Sequence, residues 1–191
     1  MEPKEDSSGT HSGDMTLSLV AKLRSGAEDA STLLDQLFRD ALVRFCWGYL
    51  SRVDEAEDAV QDILYKVITA ENIPDALRPW LYKTARNHCL NLLRRRARRK
   101  DGVELPSASQ VHELLTGHLT RLVRSEQQSR LGELVQQLPE TQREVLRLRY
   151  VEDLTRAEIA DVLEIPESVV KSRLFEGLKR LREQTSLLDE S

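Results

Sequence analysis

Thr155-Arg156-Ala157-Glu158-Ile159-Ala160-Asp161-Val162-Leu163-Glu164-Ile165-Pro166-Glu167-Ser168-Val169-Val170-Lys171-Ser172-Arg173-Leu174 reads as two helices joined by a three-residue turn. Thr155 and Glu158 form a capping box, hydroxyl and carboxylate each satisfying an unpaired N–H of the first turn. Ile159, Val162 and Leu163 then recur at helical steps, and Glu164-Ile165-Pro166 stops the helix. From Glu167 to about Arg182 a longer helix turns Val170, Leu174, Leu178 and Leu181 inward. Small Ala160 permits a close crossing, Ile165 plugs the turn and Val170 anchors the second helix. Ser168, Val169, Lys171, Ser172, Phe175, Glu176 and Lys179 are left outside. Such a pair is a helix-turn-helix, whose second helix fits a major groove, although a helical hairpin inside a bundle has the same spacing.

Working outward, Thr141-Gln142-Arg143-Glu144 predicts another capping box, opening a helix with Val145, Leu146 and Leu148. Leu131, Leu134, Val135 and Leu138 precede it and end at Pro139. Before them, Asp101-Gly102, Pro106 and Ser107-Ala108-Ser109 interrupt any stripe and mark a linker. Earlier still, Leu33, Leu34, Leu37, Phe38, Ala41, Leu42, Phe45, Cys46 and Tyr49 form one helical stripe. Ala56, Ala59, Val60, Ile63, Leu64, Val67 and Ile68 form a second, backed by Glu55, Asp58, Asp62 and Lys66. Asn72-Ile73-Pro74 breaks that helix, and Pro79 suits the first position of a third, with Leu81, Ala85, Cys89 and Leu92 inward. No alternating Val/Ile/Thr run bounded by hairpin turns occurs. The expected fold is therefore all-α: two small helical domains joined by a flexible linker, the second containing the helix-turn-helix. The boundaries are a disordered extension over 1–14, a first domain over 15–99, the linker over 100–122, a second domain over 123–185 and a tail over 186–191.

The chain has 191 residues, 40% of them hydrophobic and 31% charged, with a mean hydropathy of −0.46. That supports a soluble protein, and no window nears the roughly 18 apolar residues of a membrane span. The acidic start, Met1 to Asp14, has no leader pattern, and two cysteines, Cys46 and Cys89, make no disulfide framework, so a cytoplasmic protein without membrane insertion is expected. Net charge is −4, but unevenly spread. Residues 1–75 carry 7 basic and 15 acidic groups, whereas residues 76–100 carry 9 basic groups and no acid. Solvated faces usually mix signs, so this block points to phosphates, and the acidic stretches to a basic protein surface.

The basic block lies on the third helix. Lys83, Asn87, Asn91, Arg94 and Arg98 fall in one row, with Trp80, Tyr82 and Arg86 near its start. Bases hold a backbone, an aromatic can stack on an unpaired base and Asn can bond a base edge, which suits melting DNA. Trp80 could equally be core. Arg94, Arg95, Arg96, Arg98, Arg99 and Lys100 are too repetitive to read sequence and suit phosphate attraction. In the second domain, Lys171, Arg173 and Lys179 suit phosphates and Ser172 a phosphate or base edge. Catalytic patterns are absent: no Gly-rich phosphate loop, no metalloprotease motif and no nucleophile elbow. His11, His88, His112 and His118 are scattered. Asp58 and Asp62 lie one turn apart, but lacking further ligands they read as an interaction surface. An enzyme, a metal and a cofactor are thus not expected.

Three ordered segments resemble bacterial RNA polymerase sigma factors of the extracytoplasmic-function type: Asp54 to Asp62, Trp80 to Asn87 with the arginine run, and Leu138-Pro139 with Glu144 to Tyr150, Glu158 to Ala160 and Val170 to Leu174. The resemblance implies a transcription initiation factor that carries core polymerase to promoters and assists strand opening. It implies that Asp58, Gln61 and Asp62 bind the clamp helices of the polymerase's largest subunit. Trp80, Lys83, Arg86, Asn87, Arg94, Arg95 and Arg98 would engage the minus-ten element. Ser168, Lys171, Ser172, Arg173, Phe175 and Lys179 would dock in the minus-thirty-five groove. The polymerase flap and an anti-sigma factor are further implied partners. Against the family pattern, the Thr69–Leu77 loop is short, Glu164 replaces a common Gly, and Ser168-Val169 stands where Gly-Thr is frequent. A stand-alone helix-turn-helix regulator and a polymerase-binding adaptor that reads no DNA are the alternatives.

Overall fold

The computed structural model describes residues 9–101, 134–135 and 137–189. These contain seven helices and no strand: α1 (Gly9–Ser25), α2 (Ala30–Leu50), α3 (Val53–Ile68), α4 (Leu77–Asp101), α5 (Glu140–Tyr150), α6 (Arg156–Leu163) and α7 (Glu167–Asp189). Most of the expected linker, the start of the second domain with Leu131, and His112 and His118 lie outside the described residues. Helix α1 begins at Gly9, inside the expected extension; α4 runs past 99 and α7 past 185. At the ends of α4 and α7 the helical ladder continues beyond the last buried apolar residue, Leu93 and Leu174.

In the first domain, α2, α3 and α4 pack around Phe45, Leu42, Ile63, Val60, Leu81 and Ala85, all fully buried, and α1 covers one side with Leu19 and Val20. Cys46 and Cys89 meet there, and their hydrogen bond together with burial pushes the Cys89 thiol well up, so both are core packing. Helix α2 ends on Ser51, left-handed at φ 69°, whose N–H closes onto the Trp47 carbonyl. The α3 stripe stops one residue short of expectation: Val67 is buried and Ile68 is exposed. On α4, Leu93 is buried where Leu92 was expected, and the helix starts two residues before Pro79. Pro79 still sits in the first turn, where a missing N–H costs nothing.

The second domain packs α5, α6 and α7 through Val145, Leu148, Ile159, Val162 and Val170. Thr155 and Glu158 make the expected capping box, at 3.2 and 2.8 Å. The Thr141 box does not form, because α5 starts at Glu140 with Pro139 as its cap, and the Glu144 carboxylate is drawn instead to Arg86 and Tyr49. Glu164 closes α6 in the left-handed region, at φ 56° and ψ 43°. A side chain there is strained by contact with the following carbonyl, a strain glycine lacks. Glu164→Gly is accordingly expected to raise the melting temperature by about 2–4 °C, read by calorimetry.

The two domains are packed on each other. Helix α4 lies against α6, and the apolar residues of both domains form one continuous core cluster.

Candidate nucleic-acid interface

Helix α3 displays Asp58, Gln61 and Asp62 to solvent because its buried stripe takes Ala59, Val60 and Ile63 between them. Asp62 borders a polar cleft with Lys66, Thr84, Asn87, His88, Asn91 and Arg95, so the acidic face runs directly into the outer face of α4. His88 Nε2 is 3.6 Å from Asp62 and its Nδ1 3.4 Å from Lys66 Nζ. Burial, then Lys66, pushes the His88 pKa below its usual value, so the imidazole is neutral at pH 7 and the Asp62 contact is no ion pair.

Helix α4 presents two different polar faces. Asn87, Asn91, Arg95 and Arg98 are exposed, and Arg94 donates to Asn91 at 3.3 Å. Arg96 turns back onto α3 and pairs with Glu55, so it leaves the phosphate-attracting run. Trp80 is half-buried in an open groove with Pro79, Ala160, Ile165 and Pro166, between the two domains. Lys83 and Arg86 are covered by the second domain: Lys83 Nζ is 2.7 Å from Glu164, and Arg86 Nε is 2.7 Å from Glu144. Burial opposes the Arg86 charge, but Glu144 outweighs it and the pKa rises. Tyr82 is not on the outside at all; it is buried, its hydroxyl donating to Glu152 at 3.2 Å.

Helix α7 keeps the face expected of it. Ser168, Lys171, Ser172, Phe175 and Lys179 are exposed and Arg173 is half-buried, while Val170 and Leu174 are buried. Phe175 is 69% exposed, more than packing explains, and Ser172 donates to Glu176 at 3.1 Å. The structure thus spreads the candidate residues over three surfaces, on α3, α4 and α7, all open except the Trp80, Lys83 and Arg86 end of α4, which the second domain meets.

Sequence reasoning missed the contact between domains. Arg147 of α5 is buried under the first domain, its guanidinium carbon 4.8 Å from the Phe45 ring centre and 5.1 Å from that of Tyr49. It donates to the Phe45 carbonyl at 2.5 Å, and its Nε lies 3.9 Å from Glu152. Arg78 donates to the Glu152 carbonyl at 2.6 Å, and Tyr49 to Glu144 at 3.0 Å. Burial raises the Tyr49 phenol well above its usual value. The one sequence signal was Gly48, a poor helix former inside an otherwise good stripe.

Residues 34–99 match the family Sigma-70 region 2 and residues 128–181 match Sigma-70, region 4. The ECF RNA polymerase sigma factor SigL of Mycobacterium tuberculosis is 32% identical over 171 residues, 83% of this chain and 92% of that protein. This chain belongs to the extracytoplasmic-function sigma factors. It is a transcription initiation factor, as the family is. The sigma factor SigW of Bacillus subtilis is 29% identical over 178 residues, covering 86% of this chain and 94% of SigW. Among solved structures, CnrH in complex with the cytosolic domain of CnrY superposes with a TM-score of 0.63 at 20% identity, over 93% of this chain and 99% of that one. The sigma factor RpoE with the anti-sigma factor NepR from Bartonella quintana gives 0.59 at 24% identity, over 83% and 98%. The two low identities speak for the fold. No helix among the described residues is long and apolar enough to cross a membrane, and no group of His, Cys, Asp or Glu among them could hold a metal.

Proposed function

We propose that each of the three surfaces has its own partner. Asp58, Gln61 and Asp62 engage the clamp helices of the largest polymerase subunit. Trp80, Lys83, Arg86, Asn87, Arg94, Arg95 and Arg98 take the minus-ten element as its strands separate. Ser168, Lys171, Ser172, Arg173, Phe175 and Lys179 dock in the minus-thirty-five groove, with the second domain against the flap. The chain carries no catalysis of its own and works in the cytoplasm, beside the polymerase and DNA it serves. CnrH and RpoE were each solved with a second protein, an anti-sigma factor in the case of RpoE, and we extend a partner of that class to this chain.

The observation that carries the reading is the continuity of the α3 acids with the Asn87, Asn91 and Arg95 face, since one polymerase-bound surface then hands strands to the next. The deciding experiment is co-migration of the full chain with purified core polymerase, followed by run-off transcription across genomic fragments. Neutralising Asp58 and Asp62 to Asn and Gln61 to Ala is expected to weaken polymerase binding about tenfold or more, because charge pairs dominate such contacts. Co-migration unaffected by the triple substitution would sink the assignment.

A further inference from the structure

We infer that the free chain is latched shut on itself: Arg147 of the second domain seats in a notch at Gly48 of α2, and the closure so fixed sets Glu144 and Glu164 on Arg86 and Lys83, where nucleic-acid phosphates would otherwise sit. The masking half of this inference rests on the proposed reading of α4 as the minus-ten helix.

The notch is shaped for its occupant. A Cβ built on Gly48 would overlap the Arg147 guanidinium, so any other residue there forces that group out of its present seat. Once in, the guanidinium lies against two aromatic rings, donates to the buried Phe45 carbonyl of α2 and faces Glu152. The acid placement is equally specific. Glu144 takes Arg86 through both carboxylate oxygens, at 2.7 and 3.5 Å, the fork geometry that suits a phosphate. Glu164 takes Lys83 at 2.7 Å. Carboxylates of this chain therefore stand in for the phosphodiester oxygens of a strand.

The cover is partial, and its edges set the order of binding. Asp58, Gln61 and Asp62 remain exposed, as do Lys171, Ser172 and Phe175. Only the Lys83, Arg86 and Trp80 end of α4 is occupied. Polymerase can thus engage the closed chain through α3, whereas strands can reach the covered end of α4 only after the domains part. Polymerase therefore comes before melted DNA.

Gly48→Ala tests this without threatening the fold, since alanine is the better residue within α2 and the nearest atoms its Cβ would meet are those of the foreign guanidinium. In the full chain, dyes on Gln36→Cys and Arg180→Cys report the distance between domains by energy transfer, the native thiols being buried. A fluorescent oligo-dT strand is the nucleic-acid probe. Gly48→Ala is expected to lower the energy transfer and to tighten oligo-dT binding about tenfold, as when a binding-competent state rises from a tenth of the population to nearly all of it. Adding Lys83→Ala and Arg86→Ala should abolish that gain. Energy transfer unchanged by Gly48→Ala overturns the latch. Energy transfer that falls with no gain in oligo-dT binding keeps the latch, but overturns the masking and the assignment of Lys83 and Arg86 to nucleic acid.

Discussion

Replacing Arg147 with alanine is expected to destabilise the closed arrangement by about 3–5 kcal/mol, the usual cost of removing one partner of a buried charged network. The loss has two parts. Contacts with Phe45 and Tyr49 disappear, and Glu152, 3% exposed, keeps its place with its principal opposite charge gone. The second part depends on pH. Burial raises the Glu152 pKa above its ordinary 4.5, and Arg147 is the largest influence pulling it back, followed by Arg44, the Tyr82 hydroxyl and Arg78. A carboxyl whose pKa is raised on closing favours the closed state while protonated and loses that contribution as pH rises through the raised value. Without Arg147 the pKa rises further, so the deficit of the Arg147→Ala chain should be larger at pH 8 than at pH 5. Denaturant melts combined with the interdomain distance measure it. Arg147→Met together with Glu152→Leu, which removes both charges, should recover much of the loss. A single alanine variant as stable as wild type at both pH values would mean that Arg147 does not hold the domains together.

How far the sequence revealed this molecule differs from surface to surface. The face of α7 was legible because the helix is buried on one side only, so 3.6-residue periodicity separates Val170 and Leu174 from Lys171 and Phe175 without further knowledge. Helix α4 is harder, since it is buried twice, against its own domain through Leu81 and Ala85 and against the other through Tyr82 and Arg86. A polar residue at a domain contact looks in sequence like any solvated one. Arg86, Glu144, Arg147 and Glu152 therefore gave no sign that the domains meet, since the first three are ordinary on a helix surface, Glu152 is ordinary in the bend after α5, and Arg86 lies tens of residues from the rest. The Thr141 box failed for the same reason, a local preference losing Glu144 to a distant arginine. Local rules succeeded where nothing long-range competed, as at Thr155 and at the left-handed Glu164.

The arginine run is where charge in the sequence and charge in the structure part company, and salt separates them. Each phosphate neutralised releases counterions, so log K falls with log salt by about 0.7–0.9 per contact. Arg95 and Arg98 are exposed and Arg94 half-buried, all beyond the part of α4 that the second domain covers. Arg96 is held by Glu55, and an arginine already neutralised by a carboxylate releases few counterions on meeting DNA. For promoter binding by the reconstituted holoenzyme, substituting Arg94, Arg95 and Arg98 with alanine should flatten the slope by about 2–3. Arg96→Ala should change it much less, and Arg39→Ala, on α2 and paired with Asp35, not at all. Titrating sodium chloride in a fluorescence binding assay gives all three slopes. If Arg96→Ala flattens the slope as much as Arg95→Ala does, then the Glu55 pair yields to DNA and the run acts as an undivided block. If the triple substitution leaves the slope where it was, α4 beyond Asn91 carries no phosphate contact.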